Sequence, residues 1–200
     1  DGAPLAAGPD APVAVPRPPF GIDVRDADEL RRALTEAPEG STLRLAPGDY
    51  LGPFRVERGL TLWGPPEAVI RTSGDGTTLR LHGDGSGLLG VTVDGSGGRY
   101  DLTDAAVYVS ADDVRVEGVT VVNAVFSVVV EKSNRVLVRG CRMTGTGEPQ
   151  LGIRGDGLRI WETRDSVFSG NVIEAARDVV IWYSSDNEIA DNMVTDCRYG

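Results

Sequence analysis

The sequence predicts an all-β chain wound as a single-stranded parallel β-helix, with one α-helix capping its N-terminal end. Three observations lead there. Units of 21 or 22 residues recur from Thr78 onward, each unit holds two or three short alternating apolar runs, and Gly, Asn or Asp breaks those runs at the corners. A coil that short cannot bury its own apolar face, so the units must stack. Each then hydrogen-bonds to the next at about 4.8 Å, and inward side chains form columns. Leucine-rich repeats share the length, but their Leu and Asn spacing is absent.

Along the chain, residues 1–20 are dominated by Pro, Ala and Gly and read as a disordered or extended tether, leaving 21–200 as the β-helix. In "DADELRRALTEAP", Leu30, Ala33, Leu34 and Ala37 fall on one helical face; Asp26 caps the start, with Glu29 three residues on, and Pro38 and Gly40 close the end. This helix is expected to cover the open N-terminal bore. "STLRLAPGDY", "GLTLWG" and "TTLRLHGD" then read as strands and tight turns.

From Thr78 the units superimpose. Leu79, Leu81, Leu88, Gly90, Val91 and Val93 match Val107, Val109, Val116, Gly118, Val119 and Val121. Val128, Val130, Val138 and Gly140 match Leu158, Ile160, Phe168 and Gly170, and "LRIWETRDSVFSGN" matches "VVIWYSSDNEIADN" without a gap. Asn171 and Asn192 share a turn column, where an Asn ladder serves turn backbone. "CRYG" aligns with "ARDV", so the sequence stops where a further rung should begin, and a C-terminally truncated β-helix is expected.

The formal net charge of -10 argues against a broad nucleic-acid or anionic-membrane partner. Cys141 and Cys197 are the only cysteines. The repeat puts them two rungs apart, near 10 Å along the axis, beyond disulfide reach. No apolar run is long enough to span a bilayer, and no signal-peptide pattern opens the chain.

Two rungs carry extra residues, within 94–105 and 144–156, at the same corner of the coil, and such loops commonly build a binding edge. With Leu158, Ile160, Val179 and Ile181 inward, Arg159, Trp161, Val180 and Trp182 point out. Trp161 and Trp182 then stack as either a sheet-stabilising ladder or an exposed platform for a sugar ring or a partner protein. Arg154, Asp156, Arg177, Asp178, Arg198 and Tyr199 lie just before the first strands of their rungs. The Arg177–Arg198 column either takes an acidic group or pairs with Asp156 and Asp178. His82, Met143, Met193 and the cysteines are scattered over different rungs, so no metal site is assigned, and isolated His82 reads as a turn or surface residue.

The last two rungs, "GDGLRIWETRDSVFSGNVIEAARDVVIWYSSDNEIADNMVTDCRYG", closely resemble the NosD family. The resemblance rests on Arg177-Asp178, Trp182-Tyr183-Ser184 and Arg198-Tyr199, and extends to "DLTDAAVYV" and the N-terminal helix region. It implies a right-handed, pectin-lyase-like solenoid in a periplasmic, non-enzymatic accessory of nitrous-oxide reductase maturation. The implied partners are an ABC transporter permease and the reductase, and the implied cargo is sulfur or copper for its copper–sulfide centre. Trp161 departs from the pattern, being followed by Glu162-Thr163 instead of Tyr-Ser. On this reading no residue is catalytic, and Trp161, Arg177, Asp178, Trp182, Tyr183, Arg198, Tyr199, Arg154 and Asp156 form a contact surface. The rival readings are a carbohydrate-active lyase or hydrolase, for which Asp156 and Asp178 are the available carboxylates, and a non-catalytic glycan-binding module.

Overall fold

The computed structural model describes residue 9 and residues 11–198. These form three parallel sheets along one axis. Sheet A has eight strands, Ile22–Val24, Thr42–Leu45, Thr61–Trp63, Gly87–Leu89, Arg115–Glu117, Leu137–Arg139, Val167–Ser169 and Glu188–Ala190. Sheet B has seven, from Gly48–Leu51 to Met193–Thr195, and sheet C six, from Phe54–Val56 to Val179–Trp182. The chain visits A, B and C in turn, and each coil pairs with the one before it.

Register makes the core. Leu43, Leu62, Leu88, Val116, Val138 and Phe168 oppose one another on successive coils of sheet A, and all six are fully buried. Strands alternate, so half of each strand's side chains face the bore, and burying a Leu, Val or Phe there contributes about 1.5–3 kcal/mol. The repeat matches made from sequence are the observed pairings: Leu79↔Val107, Leu88↔Val116, Val93↔Val121 and Val128↔Leu158.

The helix α1 spans Ala27–Glu36, and the Asp26 carboxylate accepts from the backbone N–H of Asp28 and Glu29. Glu29 reaches back to the Arg25 N–H at 2.9 Å, one residue before the cap. Leu30 is fully buried on the first coils, with Ala33 and Leu34 packed beside it. Tyr50 ties that end together, donating to Val24 O at 3.0 Å and Ala46 O at 2.9 Å.

Asn171 holds one corner: its Oδ1 accepts from the Cys141 N–H and its Nδ2 donates to Val138 O and Asn192 Oδ1. Asn192 repeats the pattern, accepting from the Asn171 N–H and donating to Phe168 O at 2.8 Å. Both cysteines are free thiols.

The segment expected as a tether behaves differently over its described part. Residues 1–8 and 10 lie outside the described residues. From Ala11 the chain runs along the outside of the corner between sheets A and B, crossing the coils. Val13 N–H donates to Gly140 O at 2.8 Å, Trp63 Nε1 donates to Val15 O at 3.1 Å, and Arg142 Nε donates to Ala11 O at 3.0 Å. The composition lacks apolar content, yet backbone hydrogen bonds supply the attachment, and Pro12, Pro16, Pro18 and Pro19 limit the freedom lost on ordering. The corner beneath is Gly90, Gly118 and Gly140, with φ of 77°, 62° and 59°. A Cβ on Gly118 would collide with the Val13 carbonyl, and one on Gly140 with the Val13 side chain.

Gly118→Val should therefore both strain a left-handed corner, by about 1–2 kcal/mol, and lift the strap. Thermal unfolding should show a lower Tm, and limited proteolysis faster cleavage within residues 11–20. A variant matching wild type in both would refute this account of the corner.

Candidate functional site

The strands Leu158–Trp161 and Val179–Trp182 pair residue for residue, Trp161 opposite Trp182. Leu158 and Ile160 fill the bore, so alternation turns Arg159 and Trp161 outward. The two indoles meet edge to face, centroids 5.2 Å apart at 79°. Tyr183, in the left-handed region at φ 51°, turns its ring against Trp161 at 5.2 Å. Arg159 lies 5.4 Å from both indole centroids and 5.8 Å from the Phe126 ring. Such pairs contribute about 0.5–1.5 kcal/mol each, so the cluster is self-supporting. It is also open: Trp182 is 49% and Tyr183 78% exposed.

The charged residues expected beside the indoles are tied to one another, with the carboxylates of Asp156 and Asp178 and the Arg154 side chain buried. Asp156 is 1% exposed and accepts from Arg177 Nη2 at 2.7 Å. Arg177 also lies 3.3 Å from Asp178, which Arg198 reaches at 2.7 Å. Arg154, 7% exposed, donates to Glu148 O and bonds the carbonyl and carboxylate of Asp196. Of the two roles left open for the arginine column, the structure takes pairing with Asp156 and Asp178. A guanidinium near the rim gains more from a carboxylate one rung away than from water. The exposed aromatic area thus belongs to Trp182 and Tyr183, with Trp161 half-buried behind them. Tyr199 lies outside the described residues.

Burial pushes the Asp156 carboxyl above its ordinary value, and Arg177 and Arg159 only partly oppose that. Arg159 comes no nearer than 3.8 Å to its second oxygen.

Both inserts leave sheet B and enter sheet C, at the shared corner that spacing placed them on. Tyr100, from the first, packs edge-on to Phe126 at 5.6 Å. Ala105, Phe126 and Val129, with Tyr108 and Val125 beside them, form a small second core outside the bore. Sequence reasoning missed it, although Phe126 and Val129 in an outward-reading strand were a usable signal.

Among the described residues, no three His, Cys, Asp or Glu side chains gather as a metal-binding set. Cys141 is sealed in the bore, its thiol pushed up to about 12 by burial, and Met143 is fully buried in the same core. His82 lies on the outer face of sheet C. This donor set does not fit copper held at one place.

A model of the right-handed β-helix region matches residues 80–200. The chain belongs to the right-handed β-helix family. Its sequence is also NosD-like: it is 28% identical over 162 residues to the "Probable ABC transporter binding protein NosD" of Stutzerimonas stutzeri, covering 80% of this chain. The protein of the same description from Pseudomonas aeruginosa is 29% identical over 159 residues, covering 74% of this chain. This β-helix spans 37% of the length of either relative. In shape it is similar to an alginate lyase from a Paenibacillus species, with a TM-score of 0.62 at 16% identity, covering 88% of this chain and 76% of the lyase. That likeness shows the fold alone.

Asp156 makes a pH prediction. Its folded pKa is raised, so the folded chain holds the proton more tightly than the unfolded one. The stabilisation from that proton is full below the unfolded value of 3.8 and is lost as pH rises through the folded pKa. Asp156→Asn keeps an acceptor for Arg177 and removes the titration. Raising the pH from 4 should lower the Tm of wild type relative to Asp156→Asn, and a constant gap from pH 4 to 8 would contradict the assignment.

Proposed function

We propose that this β-helix belongs to a periplasmic accessory protein of NosD type, which works with an ABC transporter in maturing the copper–sulfide centre of nitrous-oxide reductase. The sequence likeness to two transporter-binding proteins supports the reading. The observation that carries it is the exposed Trp161–Trp182–Tyr183 cluster, backed by Arg159 and bordered by carboxylates already tied to arginines.

Aromatic rings that are rigidly backed and half open contribute much of the energy at protein interfaces. Trp182 and Tyr183 present apolar area with a polar edge, and they lose little freedom when covered. Glycoside hydrolysis needs two carboxyl groups facing one bond. Here Asp156 is enclosed and bonded to Arg177, and Asp178 lies between Arg177 and Arg198. No helix among the described residues is long and apolar enough to cross a membrane.

Trp182→Ala together with Tyr183→Ala should leave the far-ultraviolet spectrum unchanged and reduce co-purification of the full-length protein with the permease at least tenfold. Undiminished co-purification would remove the aromatic cluster as the docking surface. The wider role is read from nitrous-oxide reductase purified from a strain lacking the full-length gene. An enzyme without its copper–sulfide centre, restored by complementation, supports maturation; a fully loaded enzyme sinks it.

A further inference from the structure

A second constellation lies on the outer face of sheet C, in the column of the indoles and on earlier coils. Leu81 pairs with Val109, and the residues that follow them, His82 and Ser110, face outward one coil apart. Their backbones extend the ladder, His82 N–H donating to Val56 O and Ser110 N–H to Leu81 O. The His82 Nδ1 and Ser110 Oγ are 2.5 Å apart, and both residues are partly exposed.

Charges of both signs face the imidazole. Glu57, directly after the strand Phe54–Val56 on the preceding coil, favours the protonated ring, while Arg55 on that strand and Arg80 on its own strand oppose it. Burial is the largest influence, and the net effect is a pKa below the ordinary 6.5. Arg80 lies two positions before His82 and Tyr108 two before Ser110, the guanidinium 4.6 Å from the Tyr108 ring centre. The Tyr108 hydroxyl bonds to Glu131. Arg80 makes no ion pair among the described residues, and its charge is felt at the His82 ring.

We propose that Ser110 and His82 form a nucleophile–base pair that hydrolyses carboxylic esters of small acyl groups. A nucleophilic serine needs an adjacent unprotonated base and a cation or donor where the carbonyl oxygen gains charge. His82 is the base, held neutral at neutral pH, and Arg80 is the group beside the developing oxyanion. Glu57 is a positioning residue that stabilises the imidazolium. In the first step Ser110 Oγ bonds to the ester carbonyl carbon and its proton passes to His82 Nδ1. The bond from that carbon to the alcohol oxygen breaks, and the alcohol leaves with the proton. Water then attacks the acyl-serine, giving one proton to His82 and releasing the carboxylic acid as Ser110 recovers its hydrogen. The acyl group is small because Arg80, Tyr108, His82 and Glu131 offer no aliphatic wall for a long chain. This activity is separate from transporter docking and stands or falls alone.

The test uses the whole 200-residue chain. A fluorophosphonate probe should form one adduct, mapped by peptide mass to Ser110, as the P–F bond breaks and the serine O–P bond forms. Hydrolysis of p-nitrophenyl acetate should fall about a hundredfold in Ser110→Ala and His82→Gln, the scale of lost general-base catalysis. Wild-type activity should decline only below the ordinary histidine range, and Glu57→Gln should move that acid limb to still lower pH. A folded wild-type chain with no adduct on Ser110, or Ser110→Ala hydrolysing at the wild-type rate, would overturn the proposal.

Discussion

Parallel stacking in register is the constraint on which the rest of the molecule depends. Each coil must return to the same position one strand spacing higher, or its unpaired backbone groups and misaligned side chains both cost free energy. The column from Leu43 through Phe168 results, and with it a bore without buried charge. Every coil is therefore stabilised by its two neighbours more than by itself. At one end α1 takes a neighbour's place, burying Leu30. At the other, Ile181 and Ile189 occupy bore columns and are 43% and 46% exposed.

The corners carry the second constraint. A tight turn between sheets needs one residue in the left-handed region, and what lies outside that corner selects the residue. Where the strap crosses, only Gly leaves room, hence Gly118 and Gly140. Elsewhere other residues take positive φ, Asp most often: Asp113, Asp165, Asp186, Asp191 and Asp196 sit there, beside longer side chains such as Lys132, Arg135 and Tyr183. Part of the net charge of -10 is thus a by-product of turning corners.

The same two constraints explain what was legible in the sequence. The gapless match between the last two full coils fixed Trp161 opposite Trp182, because register leaves no other pairing. The spacing of Leu30, Ala33 and Leu34 fixed α1. The strap was not legible, since a Pro- and Ala-rich segment has no period and its partners are backbone atoms of the corner. Nor was the pairing of Arg177 and Arg198 with Asp156 and Asp178, because a column of like charges permits two outcomes and only packing chooses. His82 and Ser110 escaped for a different reason. The match of Leu81 with Val109 already puts them on adjacent coils, but no local motif marks the pair, and only the folded turn shows His82 Nδ1 facing Ser110 Oγ.

Position along the axis then links the two proposed sites. The outward column that holds His82 and Ser110 continues through Glu131 to Trp161 and Trp182. Ser110 is two coils from Trp161, about 10 Å at the strand spacing. An interface of ordinary size covers about 800 Å² on each partner, a patch whose radius exceeds that distance. A protein centred on the indoles would therefore cover Ser110, and ester cleavage and docking would exclude one another. The geometry that makes each site possible, one flat face shared by six strands, also makes them compete for it.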